Sequence, residues 1–597
     1  MRDIFDKLIS LFKVHILVVL LALGIGVIYT APFVYQAQTS EYKGVIMADA
    51  SDADFYLTFI NKSYGSLVPV GDPFQYEYRD LRNPFQFFLI EFVLGKLGSV
   101  LNLSISALHI DMQFVFPALL TLCVYAFVLA LSESLPIALL ASASLLLGNE
   151  IVRFSGFSDA LNTFLFQGSY REFLNYSRPV NPQVSFLFLL GALGALLALF
   201  RNPHSKRVII VTGVLVGGLI YIYLYFWAFA LTLLGVIFLY GFLTRKKGVL
   251  TGAFFAGLVA LLTMAPFFVM NIPVFMGSSE SSLTQAILTH KVIFEKMILA
   301  PLFLYLLIHL LVYTKKVQNK LGDWMRAFVD KYSFVTLLLF TGLIVSNQQV
   351  ITGRMVFVEH FHFFTNIPIF LLSMSILGGE VLALFSGFLR FLGVGVAIVA
   401  LAWFSLGVEV ISYRAHAEEA ERYQKLAPII SYLNKSAPKQ SVIMTNYFLC
   451  TRLTIYTPHF VYSAGGTDAT FPVPRERVLH GYFTTLALRG VTADSVRAYV
   501  YEPANRKEIG SMIFVGTYWR DLCGSQGCFP DSVLEDLIPR YQAFASHPLL
   551  ENIHKYKADY LLWDSKKEPS WRLRDIIEYP PVMESGDFKL YTLKPLI

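Results

Sequence analysis

The sequence predicts an α-helical polytopic membrane protein with about eleven transmembrane helices and a C-terminal extracytoplasmic mixed α/β domain. Three observations predict it. The 597 residues are 55% hydrophobic and only 15% charged, against roughly 25% charged in an ordinary soluble domain. Apolar runs of spanning length recur as far as residue 411. Lysines and arginines gather in alternate short loops. A chain this poor in charge is neither a disordered protein nor a soluble enzyme. Its net charge of +6 follows from the positive-inside bias of the loops and gives no ground for a nucleic-acid partner.

A spanning helix needs about 20 mostly apolar residues. The first run, 11–35, follows Arg2 and Lys7 and carries Lys13 at its start. No small-residue cleavage site follows it, so it reads as a retained membrane helix rather than a signal peptide. Further runs lie at 112–131, 136–149, 184–200, 208–222, 226–243, 249–270, 297–313, 333–347, 366–379 and 391–411. With a cytoplasmic N-terminus, the inner loops hold Arg201/Lys206/Arg207, Arg245/Lys246/Lys247, Lys315/Lys316/Lys320/Arg326/Lys331 and Arg390. Eleven crossings then put residues 413–597 outside, as in a multi-pass protein of the cell membrane. The run 85–101 contains Glu91 and Lys96 and reads as a helix in the outer interface. The reading gives two domains, a membrane module 1–412 with its first outer loop at 36–111, and an outer domain 413–597.

The outer domain opens on a charged helical stretch, Tyr413 to Lys425. Short β-like runs follow at Ser441–Phe448, Phe460–Tyr462, Met512–Val515, Tyr560–Trp563 and Phe588–Leu593, punctuated by Pro and Gly. About 185 residues suffice for a core of its own. Cys523 and Cys528 are close enough for a local disulfide on an oxidising face.

The first outer loop reads Met47-Ala-Asp-Ala-Ser-Asp-Ala-Asp-Phe-Tyr, placing Asp49, Asp52 and Asp54 just after a membrane helix. Carboxylates near lipid are costly unless solvated, paired or bound to a cation. This cluster suits a general base for an acceptor hydroxyl, or a divalent cation (Mg or Mn) held by Asp52 and Asp54. The plainer reading is an acidic helix start with Ser51 or Asp52 as N-cap. Arg79 and Arg82 precede Pro84 and its apolar helix, at the depth of a lipid phosphate; interfacial arginines also simply snorkel to headgroups.

An N-terminal membrane helix, an outer loop with Asp-x-x-x-Tyr (Asp52, Tyr56) and a Pro-led apolar helix ending in Lys96-Leu-Gly together resemble the start of the C-type glycosyltransferases (GT-C). The resemblance implies a polytopic enzyme that uses a polyprenyl-phosphate-linked sugar and a catalytic aspartate in its first outer loop. Asp52 matches that position best, then Asp54, then Asp49. Where such proteins often have His-Pro-Pro-Leu, this chain has Arg-Asn-Pro-Phe, so no histidine role carries over. The resemblance also implies a second acidic group in the next outer loop, where Asp159 and Glu172 stand. Asp159 equally suits a helix N-cap. Arg178, between Tyr176 and Pro179, offers a planar permanent cation to a phosphate, or pairs with Glu172.

The fourth outer loop carries Arg354, Glu359, His360 and His362 between two membrane helices. Arg354 suits a pyrophosphate. His360 suits a phosphate hydrogen bond or a metal site shared with Asp52. The bland reading is an interfacial aromatic belt. His290 and Lys291 are weaker phosphate candidates. No Walker motif and no Gly-x-Ser-x-Gly occurs. The expected activity is a hexosyl or pentosyl transfer from a polyprenyl-phosphate sugar donor to a glycan, lipid or protein acceptor. The alternatives are a transporter or flippase, or a polymerase of envelope polysaccharide. Membrane lipids are the expected surroundings.

Overall fold

The computed structural model describes residues 2–47, 52–81, 83, 86–153, 157–168, 172–276, 287–314, 320–355, 358–385, 387–465, 473–513 and 531–596. Asp49, Arg82, Cys523 and Cys528 lie outside the described residues. Two compact bodies divide the chain. The first comprises Met1–Gln38, Ala107–Met270 and Leu288–Glu418. The second comprises Thr39–Ser106, Asn271–Ile287 and Glu419–Ile597. Most of the first outer loop therefore clusters with the tail.

The first body is a helical bundle. All eleven apolar runs lie on helices. Among the described residues, eight helices are long and apolar enough to cross a membrane, from His15–Ala37 through Glu359–Leu382 to Gly387–Gln424. Three runs fall on shorter helices, Leu135–Leu147, Ser185–Arg201 and Lys206–Gly218. At 1.5 Å per residue, 13 residues rise only about 20 Å, short of a bilayer core of about 30 Å. The bundle core packs Tyr29, Leu120, Phe186, Phe229 and Leu338. Large apolar side chains stay exposed outside it, among them Leu262, Phe303 and Val399. Exposure of this kind is unfavourable in water and neutral in lipid, so the chain is an integral membrane protein.

Small residues set one helix crossing. Gly213 and Gly217, four apart on Lys206–Gly218, face Ala256 and Ala260 on Lys247–Met276. A methyl group built on Gly213 would lie 2.6 Å from the Ala256 carbonyl oxygen, and one on Gly217 2.6 Å from that of Ala260. This is close backbone packing of the small-xxx-small kind.

The second body holds a five-stranded mixed sheet. Its strands are β1 (Val442–Met444), β2 (Phe460–Val461), β3 (Tyr560–Asp564), β4 (Met583–Ser585) and β5 (Phe588–Thr592). Their order is β2-β1-β3-β5-β4. β1 runs parallel to β2 and β3, and β5 antiparallel to β3 and β4. The run Met512–Val515 departs from the strand expected there, because Met512 and Ile513 end the helix Pro503–Ile513; Phe514 and Val515 are outside the described residues. Short apolar runs fit helix and strand equally. From the first loop come the helices Ala53–Ser63 and Leu89–Val100. They pack closely at Gly95, where an added methyl would meet the Ile60 carbonyl oxygen at 2.4 Å. Phe59 and Phe88 stack with centroids 3.7 Å apart. The segment before Tyr76 joins the sheet edge, where Val461 N–H donates to the Phe74 carbonyl at 2.8 Å.

Gly217→Leu is expected to lower the stability of the detergent-solubilised protein by about 1–3 kcal/mol, as overpacking of a tight crossing does. Val214→Leu, on an exposed position of the same helix, is the control. Equal melting temperatures for the two variants would show that the glycine contact is not limiting.

Candidate functional site

Each body gathers part of the polar chemistry expected from the sequence. In the second body, Asp52 stands at the N-cap position of Ala53–Ser63, yet its carboxylate makes no capping hydrogen bond. Asp54 lies in the first turn of that helix. Its Oδ2 sits 3.1 Å from Nε of Arg452 and accepts the Thr451 hydroxyl at 3.1 Å. The Arg452 side chain is only 3% exposed and that of Asp54 14%. Arg452 also donates to the Ile46 carbonyl at 2.8 Å and lies over the Tyr423 ring. A buried guanidinium needs such partners, because desolvating an unpaired charge is costly. Arg452 is thus a cation of the protein itself, held beside Asp54. Among the described residues, no three His, Cys, Asp or Glu side chains gather as a metal set.

Arg452 escaped the sequence reading. Its signal is a charge in the apolar stretch Leu449-Cys-Thr-Arg-Leu-Thr-Ile, where an unpaired charge is not tolerated; its partner lies almost 400 positions away.

In the first body, candidates from two distant loops come together. Arg178 follows a short helical turn at Asn175–Ser177, and its guanidinium lies over the Phe364 ring, 5.0 Å from the centroid. Phe364 meets His360 edge-on at 5.5 Å. His360 Nδ1 and the Tyr223 hydroxyl are 2.6 Å apart, and the Tyr225 ring lies 4.4 Å from the imidazole. A π-helical turn, His362–Asn366, sets Phe364 in this position; such turns widen the helix locally and are frequent at functional sites. Glu359 is half-buried on the preceding turn, Val358–Phe361. His362 pairs instead with Glu295, Nδ1 to Oε2 at 2.7 Å.

Glu172, the alternative partner for Arg178, pairs with Arg153, which also holds the buried Glu150. Asp159 is exposed within the first turn of Phe157–Phe164, one turn before Thr163, whose hydroxyl donates to the Asp159 carbonyl. It therefore does not occupy the N-cap. Arg354 lies in a two-residue strand with Met355. The His290 ring approaches the Val350 carbonyl at 3.1 Å and is exposed, as is Lys291.

Next to Arg178 lies a buried polar network. The Gln113 carboxamide donates to the Ser177 carbonyl at 2.6 Å and accepts from Gln183 at 3.2 Å, and His109 lies 3.3 Å from the same Gln113 nitrogen. The network ties the Arg178 loop to the helix Ile105–Ser132.

Two further buried groups in the second body were not singled out. Burial pulls the Lys62 ammonium down to about 7, although Asp72 opposes the shift; its Nζ donates to the His459 carbonyl. Burial pushes the Glu91 carboxyl up to about 7, with Gln86 as a neighbour at 3.4 Å.

No protein-family model matches the sequence, and no curated protein matches it. Among solved structures, the chain is similar to ArnT from Cupriavidus metallidurans bound to undecaprenyl phosphate, at 11% identity, covering 97% of this chain and 98% of that one, with a TM-score of 0.47. It is also similar to the Archaeoglobus fulgidus oligosaccharyltransferase in its apo form, at 11% identity, covering 92% and 70%, with a TM-score of 0.47. Likenesses of this degree transfer no chemistry and no residue roles.

The two buried groups predict opposite pH effects. Glu91 binds its proton more tightly folded than unfolded, so its contribution is complete below about pH 4.5 and is lost as pH rises through about 7. Glu91→Gln should therefore gain stability over wild type between those values, on the order of 3 kcal/mol by pH 8. Lys62 binds its proton less tightly folded, so the cost of burying its charge is full below about pH 7 and fades towards 10.5. Lys62→Met should exceed wild type most at or below pH 7, and less above it. Amide exchange in Ala53–Ser63 and Leu89–Val100 across pH reads both effects, and parallel pH profiles for variants and wild type would contradict them.

Proposed function

We propose that this chain is a membrane glycosyltransferase of the GT-C type, taking a sugar from a polyprenyl-phosphate-linked donor. The observation that carries the reading is that Arg178 and His360 both lie against the Phe364 ring inside an apolar bundle. The two come from loops about 180 residues apart. A permanent cation and an imidazole held among aromatic rings suit the phosphate of a lipid carrier, whose charge grows as the sugar leaves.

The acceptor hydroxyl attacks the anomeric carbon while Asp52 takes its proton. The carbon–oxygen bond to the phosphate breaks, and the leaving lipid phosphate keeps the electron pair. The reaction is one displacement with inversion. Asp52 is preferred because it matches the catalytic position of the resemblance best; the Asp54 carboxylate holds Arg452 and Thr451, which makes Asp54 a positioning residue for the helix that carries Asp52. The positive loop clusters orient the chain with its N-terminus in the cytoplasm and the second body outside. This chemistry suits a hexose and a pentose alike.

Purified full-length protein is assayed with radiolabelled polyprenyl-phosphate hexoses and pentoses. Asp52→Asn should lower turnover about 10²–10⁴-fold without changing the melting temperature, as loss of a general base does. Asp54→Asn should lower stability and activity together, since it strips a buried guanidinium of its carboxylate. Arg178→Gln should lower kcat/KM for the lipid donor about 10- to 100-fold. Wild-type turnover in Asp52→Asn would remove the catalytic assignment, and a wild-type protein inert towards every lipid-linked sugar would remove the transferase reading.

A further inference from the structure

The second body contains a cavity of about 300 Å³ that the transferase reading does not use. One wall is a single face of the helix Ala427–Ser436, from which Ala427, Ile430, Ser431 and Asn434 follow the i, i+3, i+4, i+7 spacing. The other wall is the segment 43–45, and Tyr456 closes one end.

That second wall is fixed in place. The Gln424 carboxamide brackets it, accepting from Lys43 N–H at 2.8 Å and Val45 N–H at 3.3 Å and donating back to the Val45 carbonyl. Gly44 takes φ +94° between them, a conformation open to glycine, and its carbonyl accepts the Ser106 hydroxyl at 2.7 Å. The Asn434 carboxamide nitrogen donates to the Tyr456 carbonyl at 3.0 Å, and the Tyr456 hydroxyl accepts Ile46 N–H at 2.8 Å. A wall held at this many points keeps its shape without a ligand, which lowers the ordering cost of binding.

The lining has a consistent chemistry. Lys43 and Lys435 both line the cavity and are exposed, and none of the lining residues carries a negative charge. Val45 and Ile430 give an apolar surface, while Ser431 and Asn434 supply a hydroxyl and an amide. Two cations, an apolar patch and neutral hydrogen-bonding groups in a space at the lower end of small-molecule sites match a ring that is apolar on one face, hydroxylated at its edge and negatively charged. We propose that this cavity binds an acidic monosaccharide unit, a sugar carrying a carboxylate or a phosphate. The assignment concerns binding alone and stands whether or not the chain transfers sugar.

The test is calorimetric titration of the purified full-length protein in neutral detergent with glucuronate, glucose 6-phosphate, glucose and inorganic phosphate. At least one acidic sugar should bind about tenfold tighter than glucose and than inorganic phosphate. Which of the two binds tells a carboxylate ligand from a phosphate one. Lys43→Gln and Lys435→Gln should each weaken that binding about tenfold, the effect of removing one charge-assisted contact. Ser431→Trp, which fills the space, should abolish it. Melting temperatures report whether each variant folds, and the two exposed lysine variants keep the test decisive if Ser431→Trp does not. Glucose or inorganic phosphate binding as tightly as the acidic sugars, lysine variants that bind as wild type does, or no saturable binding of either acid would each overturn the proposal.

Discussion

The second body depends on one buried ion pair. Arg452 is nearly inaccessible to water, and its guanidinium is held by the Asp54 carboxylate, the Ile46 carbonyl and the Tyr423 ring. In a low-dielectric setting such a charge is tolerated only with partners on several sides. Satisfying it fixes the helix Ala53–Ser63 against Tyr447–Tyr456, and a neighbouring bond between the Thr58 and Thr454 hydroxyls repeats the contact one turn along. The stretch that carries Asp52 is therefore held by the tail sequence. The same constraint separates the two aspartates, leaving Asp54 as a structural anion and Asp52 at the helix mouth.

The first body solves a different problem. Lipid gives no reward for burying apolar surface, so its helices meet through small residues and hydrogen bonds. Gly213 and Gly217 let one pair of backbones approach, and the Gln113–Gln183–Ser177 network joins the Arg178 loop to a long helix. These bonds hold the Arg178 loop, which is the condition for a charged group such as Arg178 to sit in a defined position rather than snorkel freely.

Much of this was legible in the sequence because a change of solvent writes strong signals. The eleven apolar runs all prove helical, and four of the five β-like runs contain strands. What stayed hidden were lengths and partners. Hydropathy does not distinguish the 13-residue helix Leu135–Leu147 from a full crossing, because both are uniformly apolar. Short apolar runs such as Met512–Val515 lack the length that separates strand from helix. Pairings were hardest. Arg178 and Glu172 are near in sequence, yet Glu172 bonds Arg153, and the Arg178 guanidinium takes an aromatic face instead. Asp54 and Arg452 are individually conspicuous, but nothing local connects them.

The bond between Asp54 and Thr451 spans 397 positions, and this has a consequence for biosynthesis. At translation rates of about 5–20 residues per second, the chain between them takes roughly 20–80 s to make. During that interval Asp54 has neither Thr451 nor Arg452 to bond, and the helices of the bundle are made first. The second body can therefore close only after the membrane helices have been synthesised.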